Sequence, residues 1–172
     1  MKFIFTLIFS VFLQFSIYSQ GFKVSQTKLE FDLPNSEWAL KEELTRGNQT
    51  YQFFKRTPII DEQEREVIPN ITIIVEPEVS YDVVTYSALK RGEIPIEIEA
   101  MSIPTDHEMK YENGLIYKGT YKDKYGPHRV YYVFLKNNDA GIRVICDVTA
   151  DLFEQVAPEF MAMLKSIRET DD

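Results

Sequence analysis

Hydrophobic and polar positions along the chain lay out most of its elements. "KLEFDLP" (28–34) alternates Leu29, Phe31 and Leu33 with Lys28, Glu30 and Asp32, the pattern of a half-buried strand stopped by Pro34. "WALKEELT" (38–45) sets Trp38, Leu40 and Leu44 in one phase, and the turn signal "RGN" (46–48) leads back into "QTYQFFKRT" (49–57), which predicts a hairpin. "PIIDEQEREVIP" (58–69), bounded by prolines and crowded with acids, reads as a solvated loop. "NITIIVEP" (70–77) is a continuous β-branched run, as expected of a central strand covered on both faces. Ser80 then caps a predicted helix of about three turns that closes at Gly92. "EIPIEIEAMSIP" (93–104), framed by Pro95 and Pro104, reads as a loop with a short extended piece.

The second half is patterned more strongly. "DHEMKYE" (106–112) alternates His107, Met109 and Tyr111 with Glu108, Lys110 and Glu112, and Asn113-Gly114 follows as a hairpin signal, because both residues tolerate positive φ. "LIYKGTYK" (115–122) is the returning strand, "YGPH" (125–128) turns the chain, and "RVYYVFLK" (129–136) is apolar in both phases. "NNDAG" (137–141) turns again into "IRVICDVT" (142–149). These short connections predict a four-stranded antiparallel meander. Phe160, Met163, Leu164 and Ile167 then form one helical stripe. A proline fits best at the first helical position, so the helix is expected to begin at Pro158, with "DLFEQV" (151–156) a separate turn that points Phe153 and Val156 inward.

This order of elements resembles the PsbP-like superfamily, which includes an extrinsic photosystem subunit, a Ran-binding nuclear import factor and bacterial envelope proteins of the DcrB type. The resemblance is carried by "KLEFDLP" with the following Trp38, the "NITIIVEP" strand, the helix after it, the antiparallel run and the terminal "FEQVAPEFMAMLKSIR" (153–168). It covers nearly all of residues 22–168 and rests on core positions. It implies an α+β fold, an antiparallel sheet with helices packed on its faces in an α/β/α sandwich, and binding or assembly roles without catalysis. The family shares no catalytic residue set, so the resemblance assigns no catalytic, cofactor-binding or metal residue. A cytoplasmic branch chaperones secreted effectors, and the start of this chain argues against membership of it.

That start has the order of a secretory signal. Lys2 precedes an apolar run from Phe3 to Ile17, and the small residue Ser19 ends it. The run falls short of the ~20 apolar residues of a membrane span. The expectation is a signal peptide over 1–19 and a single domain over 20–172, exported to the periplasm or outside the cell and not inserted in the membrane after cleavage. An uncleaved leader acting as an anchor is the alternative. Removing 19 residues from 172 leaves 153, enough for one domain with its own core. All 27 acids stay in that part while Lys2 leaves, so the formal charge moves from −8 to −9. So acidic a chain disfavours nucleic acid, whose phosphates must be neutralised by Lys and Arg. One cysteine excludes an internal disulfide, so packing must supply stability.

Candidate chemistry is sparse. Cys146 shares a phase with Ile142, Val144 and Val148, where a thiol behaves as a small hydrophobe, and the neighbouring Asp147 opposes thiolate formation. His107 and His128 would need Asp106, Glu108 or Asp123 to assemble a metal site, and their separation matches no ligand motif. Asp61, Glu62, Glu64 and Glu66 share one predicted loop and Glu93, Glu97 and Glu99 another, the pattern of solvated charge. No nucleophile elbow, phosphate loop, dinucleotide fingerprint or HExxH motif occurs. Among the tyrosines at 117, 121, 125, 131 and 132, Tyr121 and Tyr125 stand nearest the Gly126-Pro127 turn and are the candidates for an interaction surface.

The sequence therefore leads to an exported, non-catalytic accessory or binding protein that needs no cofactor and acts on another envelope protein. A small secreted hydrolase or ligand-binding protein on the same sheet is the alternative, and an oligomeric structural envelope protein the third.

Overall fold

The alternation read along the chain becomes, in a computed structural model that describes residues 21–170, a seven-stranded antiparallel sheet. The predicted leader over 1–19 lies outside the described residues. Strands β1 (Gly21–Lys23) and β2 (Leu29–Asp32) belong to a small side sheet. β3 (Trp38–Arg46) and β4 (Gln49–Arg56) are the expected hairpin, turning through Gly47 at φ 61°. β5 (Ile59–Ile60) and β6 (Glu66–Val67) form a short second hairpin. Then come β7 (Asn70–Glu76), helix α1 (Val83–Lys90) with a 3₁₀ turn over Arg91–Glu93, and β8 (Glu97–Ser102). A 3₁₀ turn at Pro104–His107 precedes β9 (Gly114–Asp123), β10 (Gly126–Asn137) and β11 (Ala140–Thr149). Helix α2 (Phe153–Ser166) and the two-residue β12 (Arg168–Glu169) close the chain. The main sheet runs β3-β4-β7-β11-β10-β9-β8, and the side sheet β1-β2-β12.

Strand residues alternate between two faces, and each face has its own helix. On one, Ile142, Val144, Cys146 and Val148 of β11 meet Ile71 and Ile73 of β7, Val133 and Leu135 of β10, and the α2 side chains. Phe153, Val156, Phe160, Met163, Leu164 and Ile167 are all at most 1% exposed. Each such burial stabilises by about 1.5–3 kcal/mol. Leu29 and Phe31 of β2 complete this core, with Phe31 and Phe54 edge to face at 5.2 Å. On the other face Tyr86 of α1 packs on Phe134, Tyr132 and Tyr117, again edge to face with Phe134. Gly141 of β11 makes room for that ring. A Cβ there would stand 2.5 Å from Tyr86 Cζ.

Six expectations need correction. The segment 58–69 is not all solvated loop. Asp61, buried, accepts from the backbone N–H groups of Gln63 and Arg65 and from the Arg65 guanidinium, and so folds the turn between β5 and β6. The α1 cap is Asp82, which accepts from Thr85 N–H at 2.7 Å, and not Ser80. Trp38, Leu40 and Leu44 do not share a face. A bulge between Leu40 and Glu42 shifts the phase, so Trp38 enters the core while Leu44 pairs with Tyr51 on the opposite face.

The first meander strand is β8, not 106–112. Pro104 opens a 3₁₀ turn, Glu108 takes φ 55°, and Met109 turns into the core. Asn113-Gly114 is likewise no hairpin: Asn113 donates to the Lys136 carbonyl, and Gly114 lies so close to β10 that a Cβ would be 2.9 Å from the Phe134 carbonyl oxygen. Finally, α2 begins at Phe153 and runs through Pro158. Starting at Pro158 would forfeit the helical seats of Phe153 and Val156. Burying both offsets the ~3 kcal/mol of an interior proline, whose ring faces solvent.

Candidate functional site

At one end of the sheet, the β9–β10 turn, the last residues of β11 and the β5–β6 hairpin converge. The turn is held by Asp123, whose Oδ1 accepts from the N–H groups of Tyr125 and Gly126. Across β10 and β11, His128 is directly opposite Thr149, and across β9 it is opposite Tyr121. All three side chains therefore emerge on the same face.

Asp147 organises this group. It lies on that face of β11 and is 8% exposed. Its Oδ1 is 3.0 Å from His128 Nδ1, and its Oδ2 accepts from the Tyr121 hydroxyl at 3.1 Å and from Asn70 Nδ2 at 3.2 Å. The Tyr121 ring stacks on the His128 imidazole at 4.8 Å between centroids. Burial, and then the negative charge of Asp147, push the Tyr121 phenol above its ordinary range, so the hydroxyl keeps its proton and remains a donor. A carboxylate accepts, so Nδ1 of His128 is the donor of that contact. The other ring nitrogen, Nε2, is buried, makes no hydrogen bond and lies 3.4 Å from Asp123 Oδ1. Thr149 Oγ1 is also buried and unpartnered among the described residues.

These residues border a cavity of about 340 Å³ lined by Arg65, Glu66, Val67, Ile68, Tyr125, His128 and Thr149. A second hollow of about 270 Å³ shares Arg65, Tyr125 and Thr149 with it and reaches Asp151. Tyr125 is 67% exposed and Ile68 45%. The Arg65 guanidinium is engaged by Asp61 at 2.6 Å and lies 3.8 Å from Asp151.

The residues singled out from sequence fall in different places. Tyr121 and Tyr125 do meet this site, but in different roles: Tyr121 is half-buried and fixes Asp147 and His128, while Tyr125 offers an open ring. The two histidines are not brought together. His107 accompanies Ser102, which pairs with Ile116 early in β9, whereas His128 faces Tyr121 late in it. Among the described residues, no three of His, Cys, Asp and Glu converge as metal ligands. Asp106 accepts from Ile103 N–H, and Glu108 pairs with Lys165. Cys146 is fully buried, and burial, with Asp147 next to it, raises its thiol well above the usual range. Sequence reasoning missed Asp147, Asn70, Thr149 and Arg65. The sequence pattern placed Asp147 and Thr149 in the non-apolar phase of 142–149, and nothing local marked Asp147 as buried and in need of donors.

A scan of protein-family models and a search of curated proteins return no match. Among solved structures, the chain is similar to that of LpqN, described as involved in cell envelope biogenesis of Mycobacterium tuberculosis. The TM-score is 0.57 and the identity 15%, over 89% of this chain and 92% of that one. The likeness is one of fold. The architecture is thus an antiparallel α+β fold like that of LpqN, and no helix among the described residues is long and apolar enough to cross a membrane.

Proposed function

We propose that this chain is an exported accessory protein of the cell envelope, periplasmic or extracellular, that binds another envelope protein and catalyses nothing. The finer assignment to the PsbP-like superfamily, an α/β/α sandwich used for binding and assembly, is part of the same reading. The observation that carries it is the cavity beside Tyr125. An open aromatic ring and the exposed Ile68 flank a recess whose polar wall is held rigid from behind by Asp147. Rigid polar groups beside an exposed aromatic anchor suit recognition. LpqN, with the same fold, is described as involved in envelope biogenesis, which supports the setting.

A photoreactive amino acid in place of Tyr125, activated in the native envelope, tests the proposal. The expected result is one discrete adduct that is absent when the same group replaces Lys28 at the far end of the sheet. Equal, scattered labelling from both positions would sink the reading.

A small hydrolase has one observation in its favour, the Asp147–His128 pair, which has the arrangement of a general base and its orienting carboxylate. However, Nε2 faces the Asp123 carboxylate, and among the described residues no hydroxyl or thiol donates to it. The Ser102–His107 contact of 2.7 Å has no orienting carboxylate among the described residues. Ester or amide turnover that disappears in His128→Asn would establish the hydrolase instead.

A further inference from the structure

We infer that α1 and the 3₁₀ turn after it form a cover over the aromatic face of the sheet. The cover opens independently of the rest of the fold and is latched by Glu93 on the buried Arg143.

Packing is the first argument. α1 has 8 residues, too few for a helix to hold without tertiary support. Only Tyr86 and Ser87 of it are buried, whereas α2 buries Phe153, Val156, Phe160, Met163 and Leu164. It rests on β9 and β10 and leaves Val84 and Leu89 in solvent. The chain is pinned on either side of this helix. Before it, Val79 is buried and its N–H donates to the Asp139 carbonyl at 2.7 Å. After it, Ile96 crosses β9 so closely that a Cβ on Gly119 would stand 2.5 Å from Ile96 Cγ2. Between the pins, Ser80, Tyr81 and Asp82 on one side and Gly92 and Pro95 on the other are exposed, which supplies a hinge at each end. A segment with few buried contacts between two fixed points opens at lower cost than the whole domain.

Charge is the second argument. Beneath α1, β11 carries Arg143, whose side chain is only 3% exposed. Its Nη1 donates to Glu93. Glu93 also lies 3.1 Å from Lys90 Nζ, and Lys90 in turn 2.9 Å from Glu76 on β7. These pairs tie the helix and its turn to the sheet. A guanidinium stays charged, and a buried cation stripped of its partner is costly. Closure therefore depends on Glu93, which is half-exposed and is the member of the pair that can leave.

The closed state also carries a defect. Tyr86 Oη and Arg143 Nε are buried without a hydrogen-bond partner among the described residues. Opening hydrates both, which narrows the gap between the closed and open states. It uncovers Tyr117, Tyr132 and Phe134, which α1 otherwise seals.

Hydrogen exchange of the purified chain in a denaturant series, read amide by amide, tests the inference. The amides of α1 should exchange through an opening that exposes less surface than the one that frees α2 and β11. Trp38 emission, which reports the α2 core, should stay unchanged at denaturant concentrations that open α1. Glu93→Gln should speed exchange in α1 about tenfold and leave α2 as it is. Adding Arg143→Met to that variant removes the stranded charge and should restore slow exchange, a rescue that a merely weakened helix would not show. Exchange of α1 and α2 through one common opening would overturn the inference, as would equal acceleration of both by Glu93→Gln. A double variant as fast as Glu93→Gln would overturn it too. Should Glu93→Gln not fold, Arg143→Met alone decides: exchange in α1 no faster than in the native chain is expected, and faster exchange overturns the latch.

Discussion

Cys146 has α2 on one side and neighbouring strands on both edges, so its reactivity is governed by unfolding and not by its own chemistry. Iodoacetamide at neutral pH should leave it unmodified in the folded chain and label it completely in denaturant, as mass spectrometry would record. Rapid labelling without denaturant would contradict the burial described. Glu159, on α2, accepts from Trp38 Nε1 at 2.6 Å and from Arg56 through both Nε and Nη2. Burial alone would raise its carboxyl, but the hydrogen bonds from Arg56 and Trp38 outweigh burial and hold it below the ordinary value. A depressed carboxyl stabilises the fold above its unfolded value of about 4.3 and loses that contribution as pH falls through the lower folded value. Thermal melts across acid pH should therefore decline more steeply in the native chain than in Glu159→Gln, which lacks the titrating group.

Two elements hold the sheet from opposite faces, and each can be released separately. Phe160→Ala removes a fully buried ring between Trp38 and Phe153 and should cost about 3–5 kcal/mol by denaturant titration. Gly141→Ala should cost about 1–3 kcal/mol by driving Tyr86 off the sheet, and the penalty should shrink in a Tyr86→Leu background. Additive losses would mean that the ring and the glycine are not in contact. These elements differ in how plainly the chain announces them. β10 was legible because both its phases are apolar, β11 because one phase is uniformly apolar, both because the turns are short, and the apolar stripe of α2 fixed its buried face. β8 was hidden, since an edge strand of glutamates and exposed apolar residues has no buried phase to read. The 58–69 hairpin was masked by its acids, among which only Asp61 turns inward. Of the site, Tyr125 was visible as a turn tyrosine, while the Asp147 network depends on registers between β7, β9, β10 and β11 that no local pattern specifies.

The molecule as a whole combines a strongly acidic composition with a recess beside Tyr125 at one end of its sheet, so the proposed association through that recess should be salt-sensitive. Raising ionic strength from low to physiological values should slow association with the proposed partner more than it speeds dissociation, measurable by surface-based kinetics. An effect confined to dissociation would point to apolar contacts at Ile68 and Tyr125 instead. The two outer strands of the main sheet also share a defect: β3 is interrupted at Lys41 and β8 at Glu99, each a charged residue displaced from the regular ladder. Such breaks deprive an incoming strand of a continuous row of backbone donors and acceptors. The sheet is thereby closed to lateral growth, and light scattering over a concentration series should report one mass throughout. Sealed along its sides, the molecule is left to meet its neighbours end-on, by what its turns display.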